Sequence, residues 1–347
     1  MTTFDPNAAA SKESGIFGLP YSPEKAKLVL IPVPWEATTS YGGGTSQGPT
    51  AIFNASKQVD LYDVDLGNFY EAGIAMLSES SEILTWNKIA KKAALSVIAA
   101  QGSPLSSRLR KKLDRVNQYS QQVNQAVYAK TKHLLEQGKC VGLVGGDHSI
   151  PFGAIQAFLE KHPSMGILHI DAHTDLRNTY EGFEYSHASI MHNVITKTKL
   201  PKLVQVGIRD FCEEEFNFIQ HHADRITTFF DTALQEKKLS GKNWRELCTE
   251  IMNHLPNEVY VSFDIDGLDP RFCPHTGTPV PGGLEYTELL FLLKQLVLSG
   301  RKIIGFDLNE VSPGAISHSK NPSDEWDANV GARLLYKLCG WTLKSLL

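Results

Sequence analysis

The chain has 347 residues, 42% of them hydrophobic and 21% charged, which is ordinary for a water-soluble globular protein. Its formal net charge of -4 provides no basic surface for nucleic acid, and no apolar run approaches the roughly 18 residues that a membrane span needs. The N-terminus lacks the apolar segment of a secretory signal, and the five cysteines are scattered without a C-x-x-C pair. We therefore expect a cytoplasmic protein with neither a nucleic-acid nor a membrane partner.

The chain begins with a polar stretch, and we expect residues 1–25 to form an arm outside a single domain of residues 26–347. Within that domain, residues 65–114 have the least regular pattern and include serine-rich and Gly-Ser-Pro stretches. We interpret them as a surface insertion that contains loop and one helix, from about Asn87 to Ala100.

Short apolar runs alternate with helix-like segments along the domain, the pattern of a mostly parallel sheet with helices on both faces. The predicted strands are 26–33, 140–144, 165–170, 202–207, 258–263 and 302–307, and 225–230 is a further candidate. Apolar residues at helical spacing predict helices at about 115–137, 152–159, 286–298 and 328–346. The expected fold class is therefore α/β.

Two histidines and four aspartates follow the ends of three predicted strands. They are His148, Asp171, His173, Asp175, Asp264 and Asp266. Ligands bind beyond the carboxyl ends of the strands in a sheet of this type. Alternate residues of an extended chain point the same way, so we expect Asp171, His173 and Asp175 to converge on one spot.

This ligand set predicts a site for two metal ions. Four carboxylates in one cleft would repel one another, and two divalent cations would balance them. Carboxylate and imidazole without thiolate favour manganese over a structural zinc, and bridging carboxylates could hold two ions about 3.5–4 Å apart. Taken alone, each motif has a simpler interpretation, such as a turn before a helix or a calcium loop. Their occurrence together, each at a strand end, argues against those alternatives.

The three motifs resemble those of the ureohydrolases, the family of arginase and agmatinase. They are GGDHS at 145–149, DAHTD at 171–175 and SFDIDGLDP at 262–270. The resemblance covers roughly residues 26–340 and includes VGIR at 206–209, TGTP at 276–279 and DLNEV at 307–311. It implies a three-layer α/β/α fold, a binuclear manganese site and a homotrimer or homohexamer.

The resemblance also implies a role for individual residues. One metal would be held by His148, Asp171, Asp175 and Asp264, and the other by His173, Asp171, Asp264 and Asp266, with Asp171 and Asp264 bridging. Asp175 would move a proton to the leaving amine. His187, in YSHAS, would shuttle a proton or contact the substrate, and Glu288 would pair with the guanidinium group of the substrate. The simpler alternatives are a surface histidine and a glutamate that stabilises a helix N-terminus.

The substrate is less determined than the family. The Ser/Asn pattern with which arginase recognises an amino acid is not reproduced at 176–183, so agmatine, cleaved to putrescine and urea, is the first expectation. Three features depart from agmatinases: the YSHAS motif, His275 and the loop around SYGGGT. They make free guanidine the second expected substrate, with nickel as the implied metal. Guanidinobutyrate and formiminoglutamate come third.

Other classes of function are disfavoured. A catalytically silent metal-binding relative would have lost a ligand, and none of the six is missing. A deacetylase on a related fold would keep a one-metal set, and a phosphate loop would need G-K-[ST], which SYGGGT lacks. The segment around Trp326 could close over a small cation, although a surface position is the more ordinary interpretation.

Overall fold

A computed structural model describes residues 4–11, 13–101, 106–313 and 325–346. Its centre is one sheet of eight strands, in which every pair of neighbours is parallel. The strands are β1 Leu28–Val33, β2 Ile74–Met76, β3 Cys140–Gly145, β4 Gly166–Ile170, β5 Lys202–Ile208, β6 Ile226–Phe230, β7 Glu258–Asp264 and β8 Lys302–Asn309. Their order across the sheet is β2-β1-β3-β8-β7-β4-β5-β6.

Helices cover both faces of the sheet. They are α1 Gly48–Ala55, α2 Ser81–Ile98, α3 Ser107–Glu136, α4 Phe152–Lys161, α5 Ile190–Lys197, α6 Glu213–His221, α7 Asp231–Leu239, α8 Trp244–Met252, α9 Tyr286–Leu298 and α10 Trp326–Leu346. One buried cluster joins α2, α3, α4 and α5 to one face, and a second joins α8, α9 and α10 to the other. The predicted three-layer α/β/α architecture is therefore confirmed. None of the helices within the described ranges combines the length and the apolar character of a membrane span.

The long regular elements agree with the sequence predictions, and the short ones were missed. The strand candidate at 225–230 is present as β6, and α9 has the predicted bounds. The three-residue strand β2 and the short helices α1, α5, α6, α7 and α8 were not predicted. Short elements carry too few residues to establish a hydrophobic period, and their position depends on what they pack against.

The two segments expected to lie outside the core contribute to it. Ile16 and Phe17 of the arm are buried, and the Phe17 ring lies 4.8 Å from that of Tyr336 in α10. Residues 65–114 contain β2, which pairs with β1, and α2, which packs on α3. The helix predicted here begins six residues earlier than expected, after the N-cap Ser80. The boundary at residue 26 and the insertion remain predictions.

The sheet order brings four polar strand ends together. The strands β3, β8, β7 and β4 are neighbours in the middle of the sheet, so the residues that follow them meet at one edge. After β3 the chain passes close to the loop that follows β1. A Cβ on Gly146 would lie 2.1 Å from the carbonyl oxygen of Trp35, which explains why this position before Asp147 and His148 is glycine.

Candidate metal centre

A cavity of about 170 Å³ opens at this carboxyl edge of the sheet. Five of the six predicted ligands line it, namely His148, His173, Asp175, Asp264 and Asp266, and Asp171 lies buried in contact with both histidines. The structure therefore brings all six predicted ligands together.

His148 stands at the centre of three carboxylates. Its Nδ1 lies 3.0 Å from Asp171 Oδ2, 3.3 Å from Asp175 Oδ2 and 3.3 Å from Asp264 Oδ2. The ring is held from behind by the hydroxyl of Ser262, which lies 2.9 Å from Nε2. One imidazole nitrogen carries at most one proton, so it cannot satisfy three carboxylate oxygens, whereas a divalent cation between them would.

His173 forms a second group that shares Asp171 with the first. Its Nδ1 lies 3.5 Å from Asp171 Oδ1 and 3.2 Å from Asp266 Oδ2. The two oxygens of Asp171 thus face different histidines, which is the arrangement of a bridging carboxylate. Asp264 contacts His148 through Oδ2, whereas its Oδ1 accepts a hydrogen bond from the main-chain N–H of Asp266 at 2.9 Å.

The ligands converge by turns and not by the alternation of a strand, which corrects one prediction. Strand β4 ends at Ile170, and the main-chain N–H of His173 donates to Asp171 Oδ1 at 2.6 Å. Asp175 has a φ of +54°, a left-handed conformation that aspartate tolerates better than most residues. The chain therefore reverses within the motif, and this reversal directs the carboxylate of Asp175 back to His148.

The electrostatics of the cluster fit a bound cation. Burial and the neighbouring Asp171 raise the pKa of Asp175 to about 7, and burial with Asp266 and Asp171 raises that of Asp264 well above its usual value. Burial alone would lower the pKa of His148, but its three carboxylate partners raise it well above the usual value. Buried charges of one sign need compensation, and the donor set of oxygen and imidazole nitrogen suits two divalent metal ions.

His169 is a buried residue of the site that sequence reasoning missed. Its Nε2 lies 2.8 Å from Asp171 Oδ2, and its Nδ1 lies 3.0 Å from Gln205 Nε2. Gln205 also donates to the carbonyl of Thr174 at 2.8 Å and accepts from the hydroxyl of Thr228 at 2.9 Å. Because the amide nitrogen donates to Nδ1, the proton of His169 is on Nε2. His169 therefore donates to Asp171 and is not itself placed as a ligand.

Glu310, directly after β8, is the second residue that was missed. It is buried, lines the cavity, and accepts the main-chain N–H of His148 on Oε1 at 2.9 Å. Among the residues that the structure describes, no hydrogen bond reaches Oε2. Burial, together with the nearby Asp147, raises the pKa of Glu310 well above its usual value. The one signal for Glu310 was its position. The motif DLNEV lies at the end of β8, and β8 lies between β3 and β7, whose ends carry predicted ligands.

His187 lies on the cavity wall, and its environment favours a neutral ring. Two hydroxyls flank Nδ1, those of Thr38 at 3.3 Å and Ser186 at 3.4 Å, and each accepts a main-chain N–H. Their hydroxyl protons are thus available to Nδ1. Burial, with the positive charges of His173 and Lys91, lowers the pKa of His187 to about 3. This favours substrate contact over proton shuttling.

Glu288 is placed elsewhere, which corrects its assigned role. Its Oε1 pairs with Lys238 Nζ at 2.6 Å, and its Oε2 accepts the main-chain N–H of Glu285 at 3.2 Å in the capping box of α9. Both oxygens are therefore engaged, and Glu288 is not among the described residues that line the cavity. The helix N-terminus explains this glutamate, as the simpler alternative held.

The mouth of the cavity consists of more exposed side chains. Asp210 Oδ2 lies 3.9 Å from His173 Nε2, and two thirds of its side chain is exposed. Arg177 approaches the buried Glu215 at 3.6 Å and stacks on Tyr180, and Phe211 provides an apolar wall. Trp326 is 44% exposed, donates to the carbonyl of Arg271 and is not among the described lining residues. Residue 324, in the same segment of the sequence, lies outside the described residues.

Comparisons with known proteins agree with this geometry. Residues 26–340 match the model of the arginase family. The chain is 30% identical over 320 residues to the N(1)-aminopropylagmatine ureohydrolase of Synechocystis, covering 91% of this chain and 89% of that protein. It is 29% identical to the agmatinase of Bacillus subtilis, covering 91% of each. The structure of proclavaminate amidino hydrolase from Streptomyces clavuligerus superposes with a TM-score of 0.72 at 23% identity, over 98% of this chain and 100% of that chain.

Proposed function

The chain belongs to the arginase family and is a metal-dependent ureohydrolase, and we propose that it releases urea from a guanidino-amine, with agmatine as the first candidate. The products would be putrescine and urea. The observation that carries the proposal is the pair of imidazoles facing a shared carboxylate, beside a cavity whose wall contains the buried Glu310.

We propose that the site holds two divalent ions, with manganese first and nickel as the alternative. The first ion would be bound by His148, Asp171, Asp175 and Asp264, and the second by His173, Asp171, Asp264 and Asp266. When bound, the two cations supply Lewis acidity and make hydroxide available near neutral pH. The resonance-stabilised guanidinium carbon is a weak electrophile, so it needs such a nucleophile.

Glu310 is the residue we assign to the guanidinium group of the substrate. A guanidinium presents parallel N–H donors that match a carboxylate. A buried carboxylate with one unengaged oxygen gains a partner when a cation enters, and burial beside Asp147 raises the pKa of Glu310. This contact would turn the guanidinium carbon toward the metal ligands.

Asp175 is the residue we assign to proton transfer. Its carboxylate faces the cavity beside His148. A carboxylate in that position can accept a proton from the attacking water and return it to the leaving amine. His187, with a neutral ring on the cavity wall, would contact the substrate.

The charges at the mouth favour a substrate with a cationic tail. Arg177 lies beside Glu215, so their charges compensate, whereas Asp210 remains largely exposed. A distal ammonium would meet Asp210, and the methylene chain would lie against Phe211. A carboxylate tail, as in guanidinobutyrate or formiminoglutamate, would meet Asp210 unfavourably and would have to compete with Glu215 for Arg177.

Free guanidine is the second candidate, with nickel as its metal. One observation favours it: the cavity of about 170 Å³ is smaller than the roughly 300–1,000 Å³ of common ligand pockets. Guanidinium alone would place its charge on Glu310 and leave the mouth unused. The products would be urea and ammonia.

A urea-release screen tests these assignments. The holoenzyme, loaded with either manganese or nickel, would be given agmatine, N(1)-aminopropylagmatine, guanidine, guanidinobutyrate and arginine. Formiminoglutamate, whose hydrolysis yields formamide and not urea, would be assayed in parallel for formamide. We expect the highest kcat/KM with agmatine, and none with Asp266→Ala as the inactive control. Fully loaded protein that releases urea from none of them would contradict the proposal and favour a catalytically silent relative.

We further propose a homotrimer or homohexamer, as the family resemblance implies, and a cytoplasmic location, which the scattered cysteines favour. Sedimentation velocity of the full chain would test the assembly.

A further inference from the structure

We propose that Asn87 and Lys91 of α2 are positioning residues that hold one wall of the cavity in place. We call residues 36–40, which follow β1, the wall loop. One of them, Ser40, lines the cavity. The proposal rests on the proposed function for its kinetic effect, but the contacts that carry it do not depend on the substrate.

The two side chains contact opposite polar groups of the same loop. They are four residues apart, so they project from one face of α2. Asn87 is buried, and its Oδ1 accepts the main-chain N–H of Glu36 at 2.9 Å. Lys91 Nζ donates to the carbonyls of Glu36 at 3.0 Å and Thr39 at 3.3 Å, and also contacts the Thr39 hydroxyl.

These contacts use the full capacity of the Lys91 ammonium. An ammonium has three donors, and Lys91 has three acceptors in the wall loop. Among the described residues it forms no ion pair with a carboxylate. The Lys91 side chain therefore binds the wall loop and not an acidic residue on the helix surface. The adjacent Lys92, by contrast, is exposed.

The wall loop contacts His187 of the cavity wall through Thr38. The Thr38 hydroxyl accepts the main-chain N–H of His187 at 3.4 Å and lies 3.3 Å from its Nδ1. Neither Asn87 nor Lys91 is among the described residues that line the cavity. Both act through another residue: α2 fixes the wall loop, and the wall loop fixes the His187 ring.

The chain that follows the loop cannot supply this rigidity by itself. Gly42, Gly43 and Gly44 have φ values of +65°, +125° and +99°, conformations that glycine adopts freely. Tyr41 beside them is 74% exposed. The cavity wall thus borders a stretch with little intrinsic preference. The Glu36 carboxylate ties the wall loop to the N–H groups of Gly44 and Ser46, and the contacts from α2 hold the main chain of Glu36 and Thr39.

The test compares Lys91→Met with Lys92→Met in the metal-loaded full chain. Methionine keeps the length of the side chain and removes the donors, and Lys92 lies on the same helix in an exposed position. We expect kcat/KM for urea release to fall on the order of tenfold in Lys91→Met, below the ~100-fold that a 1 Å misplacement can cost. Metal content should be unchanged, and Lys92→Met should match the wild type.

Hydrogen exchange gives a readout that does not depend on the substrate. Amides of residues 36–46 should exchange faster in Lys91→Met, while those of β3, β4 and β7 keep their rates. A second pair covers the other contact: Asn87→Leu should show the same local effect, and Asn87→Asp, which keeps the acceptor oxygen, should not.

The outcomes separate this inference from the proposed function. Unchanged exchange at 36–46 in both Lys91→Met and Asn87→Leu would overturn it, even if urea release is normal. Faster exchange in β3, β4 and β7 with loss of metal would also overturn it, because the residues would then stabilise the whole fold. Failure of all guanidino compounds as substrates would remove the proposed function, and the exchange result would still decide the wall loop.

Discussion

The floor and the mouth of the cavity are built from opposite kinds of contact. On the floor, Asp171 is fully buried, and both of its oxygens are engaged with His148, His169 and His173. At the mouth, the side chains of Asp210 and Arg177 are 67% and 37% exposed and make one close charged contact each. The floor, where each side chain has several contacts, holds the predicted metal ligands. We propose that selection among guanidino compounds takes place at the mouth, where few contacts restrict the side chains.

Asp171→Asn should have the largest effect, because it removes the carboxylate that both histidine groups share. An amide nitrogen facing either histidine would replace a negative oxygen, so we expect loss of both metals and of urea release. Metal content per chain, measured by plasma mass spectrometry, checks this, with Asp269→Asn, on a solvent-facing turn, as the matched control. Full metal content in Asp171→Asn would refute the bridging role.

Glu310→Gln should have the next largest effect, with metal content preserved. The amide keeps the shape and its oxygen can still accept the N–H of His148, but it cannot form an ion pair with guanidinium. Hydrogen bonds to charged groups contribute about 1.5–3 kcal/mol, so we expect kcat/KM to fall by roughly 10- to 100-fold. Glu288→Gln is the control and should leave kcat/KM unchanged, because both oxygens of Glu288 are engaged away from the cavity, by Lys238 and by the cap of α9. The reverse ranking would restore Glu288 as the guanidinium partner.

His169→Asn tests the support beneath the floor. It removes the N–H that fixes Asp171, and partners of this kind typically alter metal affinity or activity by ~10- to 100-fold. Calorimetric titration of the metal-free protein with manganese would show weaker binding. The control His162→Asn concerns a histidine whose side chain is 20% exposed and which pairs with Glu258, away from the cavity. Equal affinities in the two variants would mean that Asp171 is held without His169.

Arg177→Met should have a small effect that depends on the substrate. Removing the cation leaves Glu215 and Asp210 as the charges at the mouth, so a cationic tail should gain and a carboxylate tail should lose. We expect the ratio of kcat/KM for agmatine to that for guanidinobutyrate to rise by a few fold, in line with about 0.2–1 kcal/mol for an exposed pair. Free guanidine, without a tail, is the internal control. A ratio that falls would place the recognition of the tail elsewhere.

The effect of His187 should be visible in the pH dependence of stability. Its pKa is lowered to about 3 in the folded protein from about 6.5 in the unfolded chain. Between these values the unfolded chain binds the additional proton, so the free energy of unfolding falls as pH falls through that window. Wild type should therefore lose stability relative to His187→Asn between pH 7.5 and pH 5 in urea denaturation. A constant difference would mean that folding leaves the pKa of His187 unchanged.

Much of the site could be predicted from the sequence, because its ligands occupy three short motifs at the ends of strands. The mechanism of convergence could not be predicted, since the φ of +54° at Asp175 depends on main-chain contacts with residues 191 and 192. His169 looked like one more residue of a strand, and only its distance to Gln205 reveals its role. Glu288 is the opposite case, because its position in the sequence indicated a role that the structure does not support. A lysine of α7 and the helix cap of α9 engage both of its oxygens.

The sequence by itself determined the parallel α/β class, the long elements and the six residues that we predict as metal ligands, because period and motif are properties of neighbouring residues. The tertiary structure alone decided that β3, β8, β7 and β4 lie side by side, that Glu310 joins the cavity and that α2 reaches the wall loop. These relations join residues far apart in the chain, and they depend on which surfaces pack and which buried polar groups find partners.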